Sequence, residues 1–273
     1  MKLRVTPVLL ALTLLAAPLP LSAQRAQAGQ AGDDWCSTER WGNDREGVCE
    51  VREFTVTAAG TMTVDAEPNG GISVEGGARN DVLVRARVVA QAETQERARQ
   101  IASAVSVTAA SDKVSANGPS GLGRRESWSV SYRLSVPTIS SLSLRTTNGG
   151  ITIRDVDGEI DFKTVNGGVK LANLAGDVKG RTNNGGVDVD LDGPGWKGEG
   201  LNVETSNGGV HLRIPEQYSA HLETSTINGG LNIDFPVTVQ GRVDRQVNAD
   251  LGAGGAPIRV KTNNGGVKVS KKD

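Results

Sequence analysis

The sequence predicts an all-β protein organised as a β-solenoid, a stack of short-strand coils, with one short helix in an N-terminal capping region. Three observations carry this expectation. Glycine supplies 35 of 273 residues and aromatic residues only 3%, with 10 prolines, which excludes a long helical bundle and a deep aromatic-lined cofactor pocket. The tripeptide Asn-Gly-Gly recurs seven times. Each triplet is followed by an apolar, polar, apolar run, as in Ile151-Thr152-Ile153 or Val187-Asp188-Val189. Self-similarity of a whole motif is the mark of repeat architectures.

In chain order, residues 1–23 read as a secretory signal rather than as structure. Lys2 and Arg4 form a positive n-region, Val8 to Leu21 an apolar h-region, and Leu21-Ser22-Ala23 ends in the small residues a signal peptidase requires. The apolar run is shorter than the ~20 residues that span a bilayer, and Pro18 and Pro20 interrupt it. No cysteine follows the cleavage site to carry a lipid, and no later stretch is long and apolar enough to cross a membrane, so the mature chain has no transmembrane segment. The expected location is periplasm, cell surface or medium.

Residues 24–52 read as a flexible leader (Gln24 to Asp34) followed by a loop closed by Cys36 and Cys49. Two cysteines this close in an exported chain pair as a structural disulfide. The C-x12-C spacing lacks the geometry that tunes a redox thiolate.

Residues 53–138 are a less regular β region holding the first coils and a cap. Phe54-Thr55-Val56, Met62-Thr63-Val64, Ile72-Ser73-Val74 and Val82-Leu83-Val84 alternate as strands, and Asn69-Gly70-Gly71 already forms a corner. Residues 92–104 (AETQERARQIASA) are rich in helix formers and predict the one helix. Asn117 to Arg125 is a turn or exposed loop, and strand character resumes from Ser127 to Leu134.

Residues 139–273 form the regular solenoid. The corners are Asn148-Gly149-Gly150, Asn166-Gly167-Gly168, Asn184-Gly185-Gly186, Asn207-Gly208-Gly209, Asn228-Gly229-Gly230 and Asn264-Gly265-Gly266, separated by 18, 18, 23, 21 and 36 residues. The last interval is twice 18, as if one coil had lost its triplet, and Gly254-Gly255 lies in that gap. Written in nines, residues 147–191 read TNGGITIRD, VDGEIDFKT, VNGGVKLAN, LAGDVKGRT, NNGGVDVDL, so two turn-plus-strand units make a coil of about 18 residues. Strands this short must stack on their neighbours to bury their apolar faces. Glycine pairs are expected to supply positive φ at the corner, and one Asn per coil is placed to form a hydrogen-bonded ladder. Roughly seven coils at a strand spacing near 4.8 Å make a rod of about 35 Å. Asn-Gly is also a hairpin signal, but recurrence of the whole motif favours stacking over an antiparallel sandwich. The charged tail Ser270-Lys271-Lys272-Asp273 blunts the far end.

The x-Asn-Gly-Gly-[Ile/Val]-x-[Val/Ile/Leu] coils behind a signal peptide, with a helix-bearing segment ahead, resemble the bacterial putative-adhesin family over residues 53–273. The resemblance implies an exported β-solenoid of the cell envelope, named for adhesion. It offers no catalytic motif to carry over.

The chemistry-bearing residues support no catalyst. Charge is nearly balanced, with 30 Lys+Arg against 31 Asp+Glu, so there is no basic field to hold nucleic acid. Two histidines and two cysteines are too few for a zinc cluster. Calcium-binding nonapeptides need Gly-Gly-x-Gly-x-Asp, which is absent. The acids Asp155, Asp157, Glu159 and Asp161, and the strand pair Asp188 and Asp190, could hold a cation but read as solvated faces, with Lys163, Lys170, Lys179 and Arg181 alternating among them. His211 and His221 stand ten residues apart with no motif around them. No Gly-x-Ser-x-Gly elbow occurs. The expected function is therefore a non-catalytic, cofactor-free, monomeric adhesin-like binding or scaffolding module, whose partner is an envelope protein or a polysaccharide. The alternatives are a polysaccharide-acting β-helix enzyme and a self-assembling structural solenoid.

Overall fold

Period-2 alternation of apolar and polar residues decides this fold, because it gives every strand one dry side. Leu142, Leu144, Ile160, Phe162, Val178, Leu201 and Val203 point inward from one sheet, and Ile151, Ile153, Val169, Leu171, Val187, Val189 and Leu212 from the other; all are buried. They meet in one continuous core between two large sheets. In the computed structural model, residues 27–28, 34–37, 44–234 and 245–272 are described. The signal segment 1–23 and most of the leader lie outside them. Gln27–Ala28, within the leader, pairs antiparallel with Glu53 and Arg52.

The chain passes alternately from one sheet to the other. A longer strand such as Asp157–Asn166 lies in the ten-stranded sheet, here called sheet B. It ends at the Asn of a triplet, the glycines turn the corner, and a short strand such as Val169–Ala172 enters the eleven-stranded sheet A. Successive passages pair parallel and in register. Ile151 lies opposite Val169 and Val169 opposite Val187, while Asn148, Asn166 and Asn184 align in sheet B. The protein is all-β and solenoid-like. Among the described residues, no helix is long and apolar enough to cross a membrane.

Two features depart from a simple sequential stack. The first is at the C-terminal end, where the order of strands does not follow the chain. Pro257–Asn264 lies between Gly200–Asn207 and Ala220–Asn228. Val267–Lys271 likewise lies between Val210–Ile214 and Leu231–Asp234. The interval of 36 residues before Asn264 is therefore not a coil that lost its triplet. It contains Gln246–Leu251, which runs antiparallel along Ala220–Asn228, and a reversal through Gly252, Gly254 and Gly255, all at positive φ. The last passage of the chain then inserts one place back.

The second departure is at the N-terminal end. Thr61–Asp65 and Ile72–Gly77 join the stack by pairing with Ser141–Asn148 and Ile151–Arg154. Beyond one further parallel strand in each sheet, the rest of residues 46–137 forms an antiparallel extension instead of further coils. Glu46–Thr57, Asp81–Ala92 and Ser127–Pro137 extend sheet A, and Lys113–Asn117 and Ser106–Ala109 extend sheet B. The helix spans Gln95–Ala104, with the Thr94 side chain accepting from the Arg97 amide as its N-cap. Its buried Ala98, Ile101 and Ala102 pack on Ala90 and Ala92.

Candidate functional site

The Asn-Gly-Gly corners are structural machinery, and their geometry explains the motif. Six hydrogen bonds of 2.8–2.9 Å join seven side chains in one ladder: Asn69, Asn148, Asn166, Asn184, Asn207, Asn264, Asn228. In each, an amide NH2 donates to the carbonyl oxygen of the Asn on the neighbouring pass. Asn264 sits between Asn207 and Asn228, so the ladder is continuous only because the last pass is inserted there.

The expected reason for the glycines is corrected. Among the triplet glycines only Gly265 has a positive φ, at 159°, and Gly167 and Gly185 do not; the left-handed non-glycine residues are Asp155 and Asn173, at φ 57° and 50°, on the opposite corner. The first glycine of each triplet is required by close approach. A Cβ on Gly167 would stand 1.9 Å from the Gly149 carbonyl oxygen, and one on Gly185 2.1 Å from that of Gly167. Gly70, Gly149, Gly208, Gly229 and Gly265 are as tightly placed, at 1.9–2.1 Å from a backbone oxygen. The second glycines differ. At Gly71, Gly150, Gly168, Gly186, Gly209 and Gly266 the nearest backbone oxygen is 3.2–3.6 Å away, and at Gly230 nothing lies within 4 Å.

A threonine two residues before the Asn completes the corner, a signal in the sequence that the Asn-Gly-Gly reading passed over. The Oγ1 atoms of Thr146, Thr164, Thr182, Thr205, Thr262 and Thr226 donate at 2.7–2.9 Å to the carbonyls of Gly70, Gly149, Gly167, Gly185, Gly208 and Gly265. Each hydroxyl thus holds the carbonyl that crowds the next glycine. Thr182→Val leaves that half-buried carbonyl without its donor and is expected to cost about 1–3 kcal/mol. Thr224, also buried, has a hydroxyl with no hydrogen-bond partner among the described residues. Thr224→Val should be neutral or stabilising by about 1 kcal/mol, and urea melts of the two variants check the contrast.

The surface available to a partner is therefore the outward faces. On sheet A one column runs Ser73, Thr152, Lys170, Asp188, His211, Lys268, Asn232. Beside it, Arg213 pairs bidentately with Asp190, so Asp190 is already engaged by a cation of the chain. A shallow groove of about 640 Å³ lies along this face at the second glycines Gly186, Gly209, Gly266 and Gly230.

His211, Ser270 and Asp188 superficially suggest a nucleophilic triad, but their proton positions run the wrong way. Arg213 Nη1 lies 3.1 Å from His211 Nδ1, and a guanidinium can only donate. The neutral imidazole therefore carries its proton on Nε2 and donates to Ser270 Oγ at 3.0 Å. A serine nucleophile needs that nitrogen as acceptor, and Asp188 is 3.9 Å from Nδ1. His221 lies on sheet B instead, with Nδ1 2.6 Å from Asp250.

The hydrogen bond from Arg213 holds the Asp190 carboxyl below its ordinary range, against partial burial. A group with a lowered folded pKa stabilises above its unfolded value, about pH 4, and loses that contribution as pH falls through the folded value. The stability gap between wild type and Asp190→Asn should therefore shrink from pH 7 to pH 3. A gap constant across thermal melts in that range would contradict the ion pair.

The remaining candidates resolve as follows. Asn173 Nδ2 donates to Asp155 Oδ1 at 2.6 Å, and Asp161 pairs with Arg145. Glu159 lies opposite Asp177 and Asp161 opposite Lys179. Among the described residues no group of three or more His, Cys, Asp or Glu side chains is placed to hold a metal ion. Cys36 and Cys49 form a disulfide. It tethers the short helix Asp34–Ser37 to the sheet, where the buried Trp35 ring stacks on Arg133 and Arg87, with guanidinium carbons 3.9 and 5.1 Å from the ring centre.

The outward face of sheet B carries the most uneven charge. One column reads Asp65, Arg145, Lys163, Arg181, Glu204, Lys261, Ser225 along paired strands. Three cations thus stand side by side. They border a depression of about 310 Å³ with Asp161, Lys179, Asn202 and Glu204, floored by Phe162 and Gly180. Gly180 is required here because a Cβ would meet the Phe162 ring at 2.3 Å.

The sequence profile of the Toastrack DUF4097 family matches residues 61–270. The chain belongs to that family. The match covers all of sheet B, sheet A from Ile72 onward and every Asn-Gly-Gly corner. No protein of curated function matches the chain. Among solved structures it is similar to "a putative cell adhesion protein" from Clostridium sporogenes ATCC 15579, at 11% identity and TM-score 0.47 over 81% of this chain and 100% of that one. It is also similar to "a putative adhesin" from Bacteroides fragilis NCTC 9343, at 9% identity and TM-score 0.35 over 81% and 97%. A "putative lipid binding protein" from Parabacteroides distasonis ATCC 8503 matches at 9% identity and TM-score 0.32 over 82% and 97%.

Proposed function

We propose that this Toastrack chain is an exported, non-catalytic, adhesin-like binding or scaffolding module of the bacterial cell envelope. In this reading residues 1–23 are a cleaved signal, 24–52 a leader with the disulfide loop, 53–138 the first coils and cap, and 139–273 a β-solenoid of about 18 residues per coil. The observation that carries the proposal is the in-register stacking of outward side chains on both sheets, because it presents straight columns of polar groups on a rigid frame. The disulfide supports an oxidising compartment. The reversed proton order at His211 and Ser270 counts against acyl transfer. The antiparallel strands at the N-terminal end of both sheets and the antiparallel strand Gln246–Leu251 at the far edge of sheet B interrupt the parallel stacking that would recruit further copies, which favours a monomer over a polymerising solenoid.

Protease shaving of intact native cells, followed with an antibody, tests the reading. Digestion from whole cells places the protein on the surface, and protection until the envelope is opened makes it a periplasmic scaffold. Recovery in the cytoplasmic fraction with Cys36 and Cys49 as free thiols would falsify export.

A further inference from the structure

Like charges directly opposite each other on paired strands weaken a sheet, and opposite charges strengthen it. The central column of sheet A follows this rule, since Lys170 lies opposite Asp188 and Asp188 opposite His211, while nearer the N-terminal end Arg85 faces Arg133. Sheet B breaks it where Glu159 faces Asp177 and, over three successive strands, where Lys163 has Arg145 on one side and Arg181 on the other. Side chains in such a column are about 4.8 Å apart.

The mismatch is not relieved within the chain. Arg145 is engaged by Asp161. Among the described residues, neither Lys163 nor Arg181 has a side-chain hydrogen bond or an ion pair, although Glu204 is the direct strand neighbour of Arg181. Lys179, already paired with Asp177 at 2.7 Å, adds a fourth cation across the depression.

We infer that the groove over Phe162 and Gly180, walled by Arg145, Lys163 and Arg181, binds a linear acidic polysaccharide lying along the stack. This inference rests on the reading of the protein as an envelope binding module and supplies its ligand class. The site is open, so a single small anion stays solvated there and gains little. A polymer brings successive anionic groups to successive cations of the column, and each contact makes the next one intramolecular. The depression follows the column across the strands, which fits a chain running along the rod. The face has no outward aromatic ring among Arg145, Asp161, Lys163, Lys179, Arg181, Asn202 and Glu204, so it lacks the stacking platforms by which single-stranded nucleic acid is held. Carboxylate and sulfate groups share the chemistry that a guanidinium fork and an ammonium recognise.

Four immobilised probes test this with the full mature chain: oligogalacturonate for carboxylates, a heparin oligosaccharide for sulfates, neutral dextran, and a single-stranded DNA oligonucleotide. Binding to one or both acidic glycans in preference to dextran and DNA is expected, and which of the two binds tells carboxylate from sulfate. The double variant Lys163→Glu with Arg181→Glu should lose about tenfold or more in affinity, and Lys163→Glu alone, whose column alternates in sign from Asp65 to Lys261, should weaken binding while melting no lower than wild type. Lys170→Glu, on the other sheet, should bind within about twofold of wild type. Failure of both acidic glycans, a preference for DNA, undiminished binding by the double variant, or an equal loss with Lys170→Glu each overturns the inference. Retention of wild type and the double variant on isolated envelopes separates the two claims: equal retention rejects the groove and leaves the module standing, whereas retention of neither rejects the module as well.

Discussion

Deleting residues 257–272 should unfold far more than the last pass of the chain. In a sequential solenoid, removing a terminal coil shortens the stack and leaves the others in place, since each repeat touches only its neighbours. Here the terminal pass is an interior layer. Pro257–Asn264 is the parallel partner of both Gly200–Asn207 and Ala220–Asn228, and Val267–Lys271 of both Val210–Ile214 and Leu231–Asp234. Its loss separates residues 220–234 from the rest of both sheets. Buried Ile258, Val260, Val267 and Val269 go with it, and at about 1.5–3 kcal/mol for each fully buried side chain the loss is on the order of 10 kcal/mol, comparable with the stability of a whole domain. Asn264 also bridges Asn207 and Asn228, so the side-chain ladder is cut in the same place. Limited trypsinolysis of the truncated chain should digest residues 215–256 and spare a fragment ending near Ile214. Protection of residues 220–234 in that fragment map would show that the inserted layer is dispensable.

This insertion marks where sequence reading stops. The seven triplets and their alternating strands identify the all-β stacked architecture because each local signal repeats a physical requirement: one dry face per strand and one glycine per close approach. The order of the layers carries no such local signal. Val267-Lys268-Val269 follows Asn264-Gly265-Gly266 as regularly as any other pass, and nothing in those residues says whether they stack before or after Leu231-Asn232-Ile233. The 36-residue interval equals two coils by arithmetic alone; Gln246–Leu251 fills part of it as an antiparallel edge. The threonines were legible, since Thr-x-Asn-Gly-Gly occurs at Thr146, Thr164, Thr182, Thr205, Thr226 and Thr262. The charge column on sheet B was only half legible. Lys163 and Arg181 read as an alternating surface along the chain, and become neighbours only when the 18-residue register lays their strands side by side.

Within one triplet, two glycines that look equivalent in sequence should respond in opposite ways to the same substitution. Gly167→Ala places a methyl carbon 1.9 Å from the Gly149 carbonyl oxygen, 2.4 Å from its carbon and 2.9 Å from the Gly150 nitrogen. All three are backbone atoms, and the crowding carbonyl is fixed by the Thr164 hydroxyl, so no side chain can swing aside. The neighbouring passes must separate, which strains the Asn148–Asn166–Asn184 ladder on both sides. The expected cost is about 3 kcal/mol or more, at the upper end of overpacking in a close-packed interior. Gly168→Ala meets only the Gly186 carbonyl oxygen, at 3.6 Å, an ordinary contact, and its φ lies outside the left-handed region. Restricting the unfolded chain then makes that change neutral or stabilising by about 0.5 kcal/mol. Urea unfolding of Gly167→Ala, Gly168→Ala and wild type under oxidising conditions compares them directly. Equal destabilisation by both alanines would mean that backbone conformation, rather than the approach of the adjacent carbonyl, sets the requirement for glycine, and the steric account of the corner would fall.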